Sequence, residues 1–403
     1  MPLHLDTPPL ASITERLAPL GSQRWRVHFE ARRRAEAGAD MVELTIGEPD
    51  VPTPGALIDH AAQAMRAGRT RYSGGAGEPG MLSAVAAKYA ARTGRNVTPD
   101  QVLAFPGTQA ALAFVMLALV ETGDAVLVPD PFYATYEGVV RAADAHFVPV
   151  AMEAGNGFRL TPDQVRAAIA SAPARPRVLL LNSPHNPTGA VLSGHEIAAL
   201  GAVAREHDLW IVSDEVYESL ILDGTPFASP FDRADLADRT IVVSSLSKSH
   251  AAPGFRAGWA VGPAAAMAAI QGVSESFLFG GQPFIADMTE RALTGHFDAA
   301  GTMRDAYRRR LDAFCHALQD NALLHPLRPQ AGMFVLVDVS ATGVDGETFA
   351  MEALDDGVAT MPGASFGAGA AGFVRVSLTV GEGRLVEGAR RLGRTARRLS
   401  SCT

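Results

Sequence analysis

The sequence predicts an α/β fold, in which an open and mostly parallel sheet of about seven strands, wrapped by helices, is followed by a smaller α+β unit. Two observations predict it. Between residues 98 and 262, short apolar or β-branched runs alternate with helical patterns, and strand–helix–strand alternation implies crossovers between parallel strands. After Pro283 the alternation gives way to long helices interrupted by two apolar runs. A chain of 403 residues, 47% of them hydrophobic, can bury cores of that size.

Taken in order, residues 1–49 carry a helical stretch at 24–38 and are expected to pack on the C-terminal unit. The large unit is expected over 50–285, with strands at 102–105, 125–128, 146–150, 177–181, 210–213, 240–244 and 257–261. Helices at 109–120, 162–170 and 194–206 separate them, the second opened by Pro162, which suits a first helical turn. The small unit, 286–403, is expected to hold helices at 284–294 (starting at its boundary), 303–319 and near 347–354, strands at 333–337 and 374–378, and a final amphipathic helix through Arg398. The clusters Arg32-Arg33-Arg34 and Arg308-Arg309-Arg310 are expected on solvated helix faces.

A formal charge of -8 argues against nucleic acid and anionic membrane as partners. The longest apolar run, 110–120, is too short to span a bilayer, and residues 1–20 hold no signal-peptide core. Two cysteines, Cys315 and Cys402, cannot build a disulfide framework or a cysteine zinc site, so no metal is expected and a reducing cytoplasm fits. Lysine occurs only at Lys88 and Lys248. In a chain that otherwise uses arginine for its positive charges, a retained lysine suggests amine chemistry that a guanidinium cannot supply. Lys88 is expected to be a solvated charge.

In an open parallel sheet, functional groups gather at the carboxyl ends of the strands. Four segments put polar residues there: Pro106-Gly107-Thr108-Gln109, residues 182–189 (NSPHNPTG), residues 213–217 (SDEVY) and residues 244–248 (SSLSK). Gly107-Thr108-Gln109 precedes an apolar helix, whose free N–H groups with the Thr108 hydroxyl could hold a phosphate. Ser245, Ser247 and Arg256 could complete that cage. A lysine beside a phosphate cage suits pyridoxal phosphate, since a primary amine forms an imine with its aldehyde. Asp214 could then face the ring nitrogen, with Tyr217 and Asn186 at the phenolic oxygen.

The segments 182–189, 213–217, 245–259 (SLSKSHAAPGFRAGW) and 374–378 (VRVSL), in this order and spacing, resemble the class I/II aminotransferases of the aspartate aminotransferase fold, fold type I among pyridoxal-phosphate enzymes. The likeness runs from about Ser12 onward and includes 46–50 (IGEPD), Arg71-Tyr72 before a Gly-rich loop, and 130–133 (DPFY). It implies that Lys248 carries the cofactor and moves the proton, that Asp214 pairs with the ring nitrogen, and that Tyr133 stacks on the ring. Gly107, Thr108, Ser245 and Arg256 would bind the phosphate, joined by Tyr72 from a second subunit, making a homodimer with shared sites. Arg375 would clamp the substrate carboxylate, with Gly47 and Asn186 assisting, and the Asn186–Pro187 bond would be cis.

Residues 24–31 (RWRVHFEA), 207–224, 245–250 and 326–337 are similar to the arginine–pyruvate transaminase subgroup, which implies a guanidino amino acid as donor and pyruvate as acceptor. Thr108 stands where one dicarboxylate-specific subgroup carries a lysine. Ala252-Pro253 and Phe255 depart from the arginine subgroup's Met-Thr and Trp, leaving room for a modified arginine, and Glu48 and Glu275 are the candidate guanidinium partners. Aspartate or aromatic donors, or another fate of the same cofactor chemistry, such as arginine oxidation or elimination, are the alternatives.

Overall fold

A computed structural model describes residues 8–401, so Cys402 lies outside the described residues. The large sheet has seven strands: β1 (Val102–Pro106), β2 (Ala125–Asp130), β3 (His146–Ala151), β4 (Pro176–Asn182), β5 (Trp210–Asp214), β6 (Thr240–Ser245) and β7 (Ala257–Val261). Their spatial order is β1-β7-β6-β5-β4-β2-β3. All pairs are parallel except those that β7 makes with β1 and β6. Because β7 runs the other way, its amino end lies beside the carboxyl ends of β1 and β6, with Pro106 opposite Ala257 and Ser245 opposite Gly258.

Both faces of this sheet are covered, which explains why its strands read as continuous apolar runs instead of alternating ones. Val126, Val128, Val178 and Leu180 enter one core with the helix Thr108–Leu119; Ala125, Leu127, Leu179 and Leu181 enter another with the helices Pro162–Ser171 and Gly194–Glu206. Those last two helices start where reciprocal side-chain caps stop the fraying, Thr161 with Gln164 and Ser193 with Glu196. The helix expected from 303 starts at Ala299, because the Asp298 carboxylate accepts from the Gly301 N–H at 3.1 Å and caps a turn that carries little apolar pattern.

A second, four-stranded antiparallel sheet contains β8 (His325–Leu327), β9 (Phe334–Asp338), β10 (Met361–Pro362) and β11 (Phe373–Ser377). The amino-terminal segment joins this part of the chain. Val42 and Glu43 pair in parallel with Val358 and Ala359, and Val27, Ala31, Val42 and Leu44 share a core with Phe314, Phe349 and Leu385. The expected boundary at 285/286 falls inside the helix Pro283–Thr294. Ile285, Met288 and Ala292 pack there with Leu57, Met81 and Trp259, so this helix covers the large sheet.

In the second arginine cluster Arg308 and Arg309 are exposed, as expected, whereas Arg310 is drawn in, its side chain 14% exposed. Arg308 donates to the Leu222 carbonyl at 2.8 Å, and Arg310 to the Leu378 carbonyl at 2.9 Å and to Asp50 at 2.6 Å, tying the long helix to its surroundings. Among the described residues, no helix is long and apolar enough to cross a membrane.

Candidate active site

A cavity of about 160 Å³ opens at the carboxyl ends of β1, β4, β5 and β6. Ten of the residues named from sequence line it together: Thr108, Gln109, Tyr133, Asn186, Asp214, Tyr217, Ser245, Ser247, Lys248 and Arg256. Gly107 adjoins it, and Gly47 and Arg375 reach it through direct contacts with lining residues.

Lys248 sits in the short helix Leu246–Ser249 that follows β6, and its Nζ donates to the Gly47 carbonyl at 2.5 Å. Burial disfavours its ammonium and lowers the pKa to about 8, with Arg375 and Arg256 adding to the effect and Glu48 opposing it. The neutral amine is the nucleophile, so below about 8 its fraction falls tenfold per pH unit. Capture of pyridoxal phosphate by the cofactor-free protein is therefore expected to accelerate with unit slope up to about pH 8 and then level off. Stopped-flow mixing checks this; a rise that continues to the ordinary lysine value of 10.5 contradicts it.

Asp214 ends β5 beneath the cavity. Its carboxylate accepts from the Tyr136 hydroxyl at 2.8 Å and the Val216 N–H at 3.2 Å, while burial pushes its pKa up to about 6. Asn182 steadies both flanks of this floor: its amide donates to the Asp214 carbonyl at 2.9 Å, and its side-chain oxygen accepts from the Asn186 N–H at 2.8 Å. The Asn186 amide donates to the Tyr217 hydroxyl at 3.3 Å, and the Asn186–Pro187 bond is cis.

Arg375, on β11, is 3% exposed. It donates to the Asn186 side-chain oxygen at 3.1 Å and to the Thr45 carbonyl at 2.8 Å, and its guanidinium carbon lies 3.8 Å from the centre of the Phe334 ring and 4.3 Å from that of Phe366. Burial lowers its pKa to about 10, which still leaves it cationic at neutral pH. No carboxylate lies within salt-bridge reach among the described residues, and its Nε is buried without a partner. A buried cation with donors to spare is a costly arrangement that an incoming carboxylate relieves. Gly47 faces the same place, since a Cβ there would stand 2.1 Å from the Phe334 ring.

The opposite corner fits a phosphate monoester. Gly107, at φ +87°, begins the helix Thr108–Leu119, whose first N–H groups have no intrahelical partner. The Thr108 hydroxyl is buried and unpaired, and a Cβ on Gly107 would lie 2.2 Å from the Arg256 guanidinium. Arg256 stands just before β7, so the antiparallel strand is what brings a residue of distant sequence to the turn after β1. This donor set, with an amine and a buried carboxylate across the cavity, matches the phosphate, aldehyde and ring nitrogen of pyridoxal phosphate.

Behind Asp214 lies a buried ionic network. Arg92 donates to Glu215 at 2.8 Å, to Glu218 at 2.9 Å and to Asp232 at 2.8 Å, and stacks 4.6 Å from the Tyr89 ring centre. Lys88, expected to be a solvated charge, is half-buried and bonded to Glu218, because the helix Pro79–Thr93 turns that face toward the acids. Arg92→Ala is expected to cost about 3–5 kcal/mol, by leaving the acids unpaired. Burial already lifts Glu215 to about 7. Without Arg92 it rises further and the folded chain holds the proton longer than the unfolded one, so the deficit should widen as pH increases through 7, as denaturant titrations at several pH values can measure.

The cavity does not include Tyr72 of the same chain. It is 87% exposed and packs edge-on to Phe279, itself 69% exposed. Glu275, also exposed, accepts from Gln271 and does not line the cavity, whereas Glu48 follows Gly47 and its charge reaches Lys248. Sequence reasoning missed Tyr136, Thr45, Phe334 and Phe366. For Tyr136 a signal existed: a tyrosine one turn after Tyr133, beside a buried Asp214 that needs a donor.

The profile of the family described as Aminotransferase class I and II matches residues 39–392. Similar proteins include an arginine–pyruvate transaminase of Pseudomonas aeruginosa, 40% identical over 96% of this chain and 98% of its own length. An aspartate/prephenate aminotransferase of Thermus thermophilus is 35% identical over 91% of this chain and 94% of its own. Among solved structures, a single mutant of Thermus thermophilus aspartate aminotransferase superposes with a TM-score of 0.90 at 34% identity, covering 96% of this chain and all of that one, 100%. With this match spanning most of the described chain, the protein belongs to the class I and II aminotransferases, pyridoxal-phosphate-dependent enzymes of fold type I that act on amino acids and 2-oxo acids.

Proposed function

We propose that the enzyme transfers the amino group of L-arginine, or of a related guanidino amino acid, to a 2-oxo acid such as pyruvate, in two half-reactions that use one site in turn. The observation that carries the carboxylate-binding half of this reading is Arg375, a buried cation without an acid partner among the described residues, bonded to the same Asn186 that bonds Tyr217. The donor assignment rests on the similarity to the arginine–pyruvate transaminase and on the charge of the cavity, whose lining cations among the described residues are Lys248 and Arg256, with Thr108 in the turn after β1. Neither cation is free for a second substrate carboxylate once amine and phosphate are served. Glu48, whose charge reaches Lys248, suits the guanidinium better than Glu275.

When bound, pyridoxal phosphate supplies an aldehyde for the amine and a ring that withdraws electrons from the α-carbon. Thr108, the Gly107 turn, Gln109, Ser245, Ser247 and Arg256 would hold the phosphate; Tyr133 would stack on the ring; Asp214 would keep the ring nitrogen protonated; Tyr217 and Asn186 would bond the phenolic oxygen. Arg375, with Asn186 and Gly47, orients the substrate carboxylate. Lys248, whose ammonium burial disfavours, would take the proton from the substrate's α-carbon and deliver it on the far side of the transferred nitrogen, two atoms away. Tyr72, exposed and packed edge-on against the exposed Phe279, suits a second subunit's site and therefore a homodimer. We read the chain as a large unit from about residue 50 through the helix Pro283–Thr294, and a small unit beyond it that includes the amino-terminal segment. The two cysteines suit a reducing cytoplasm.

Steady-state assays with arginine, aspartate, alanine and phenylalanine against pyruvate and 2-oxoglutarate test the assignment. The expected result is the highest kcat/KM for arginine with pyruvate; preference for aspartate with 2-oxoglutarate overturns the donor and leaves the aminotransferase standing.

A further inference from the structure

We infer that His28, on the amino-terminal helix Arg26–Glu36, is a positioning residue for the substrate-carboxylate clamp, acting through Thr45 on Arg375. His28 is 6% exposed and Thr45 fully buried. The His28 Nδ1 lies 2.8 Å from the Thr45 hydroxyl and 3.0 Å from a Glu43 carboxylate oxygen, and the Thr45 hydroxyl lies 3.2 Å from that same oxygen. An ionised carboxylate only accepts, so the triangle assigns a proton to Nδ1, whose N–H is shared between the Thr45 hydroxyl oxygen and Glu43, while the Thr45 hydroxyl donates to Glu43.

Thr45 is thereby held from two sides. Its side chain is fixed by His28 and Glu43, and its carbonyl accepts from Arg375 at 2.8 Å. Neighbouring bonds fix the strand on either side: Leu44 donates to the Ala359 carbonyl at 2.8 Å and accepts from Ser377 N–H at 2.9 Å. Among the described residues, the carbonyl of Thr45 is one of two acceptors that aim the Arg375 guanidinium, the other being the Asn186 side chain. Locking its residue costs nothing at the moment of binding, whereas a loose carbonyl lets the guanidinium settle where the carboxylate must then reorient it. Neither His28 nor Glu43 lines the cavity, so the arrangement couples the amino-terminal segment to the clamp without touching cofactor or substrate.

The inference rests on the reading of Arg375 as the carboxylate clamp, and the test separates the two. His28→Ala and the shape-preserving Thr45→Val are assayed as holoenzymes, with Arg375→Ala as control. Each of the first two should raise KM for the amino acid and for the 2-oxo acid together, by about tenfold, while kcat and pyridoxal phosphate affinity stay within about twofold. The double variant should add little, because both changes break one chain of contacts. His28→Asn, whose amide can donate from nearly the place of Nδ1, should recover most of the loss. Unchanged KM in His28→Ala and Thr45→Val, with KM raised in Arg375→Ala, overturns the role of His28; unchanged KM in Arg375→Ala overturns the clamp itself. A parallel loss of cofactor affinity or of thermal stability in Thr45→Val would mark the contacts as general packing and also overturn the inference.

Discussion

Lys248→Ala is expected to leave a folded protein whose turnover has dropped by at least about 10⁴-fold, since one side chain both bonds the cofactor and moves the proton. Stability should hold or improve, because the amine is buried and its ammonium is disfavoured there. Lys248→Arg should be equally inactive, as a guanidinium neither forms the linkage nor releases a proton near neutrality. Kinetics with the absorption spectrum of the cofactor-loaded protein checks both variants: the band of lysine-bound cofactor should vanish together with turnover. Normal activity in either variant removes Lys248 from the reaction.

Arg375→Ala is expected to raise KM for both the amino donor and the 2-oxo acceptor by about 10²-fold or more, the scale found when one partner of a buried charge pair is truncated. Affinity for pyridoxal phosphate should change little, because Arg375 stands with Asn186 and Thr45, away from the corner formed by Thr108 and Arg256. The same variant removes an uncompensated buried charge, so the free enzyme should lose no stability on that account, although the contacts with Phe334 and Phe366 go with it. A larger effect on cofactor binding than on substrate binding would reverse the two assignments.

The chemistry was legible in the sequence where a functional group follows directly on a buried strand. Asp214 closes an apolar run, Lys248 follows another, and Gly107-Thr108 opens an apolar helix; in each case the local pattern alone gives the edge of the sheet at which the group emerges. What escaped are side chains brought in by long-range packing. Phe366 ends the short 3₁₀ turn Gly363–Phe366, and Thr45 lies beyond a two-residue strand, Val42–Glu43; neither segment is long enough to carry periodicity. Arg256 was expected beside Gly107, but the antiparallel direction of β7 that brings it there is not encoded in an apolar run. Lys88 and Arg310 were misread for one reason: a charge on a helix looks solvated until the acid or carbonyl it meets, here Glu218, or Asp50 and Leu378, is known from the fold.

The most direct test of the central claim uses the pyridoxal-phosphate-loaded enzyme, mixed anaerobically with L-arginine and no 2-oxo acid, while the cofactor's absorption is followed. Stoichiometric conversion to the pyridoxamine form, reversed on adding pyruvate, is the predicted result, since it requires both the transfer and the guanidino donor. Absence of conversion with arginine, together with conversion by aspartate or phenylalanine, would contradict the substrate assigned here. Conversion by no amino acid would contradict the transfer of an amino group by Lys248 at this site.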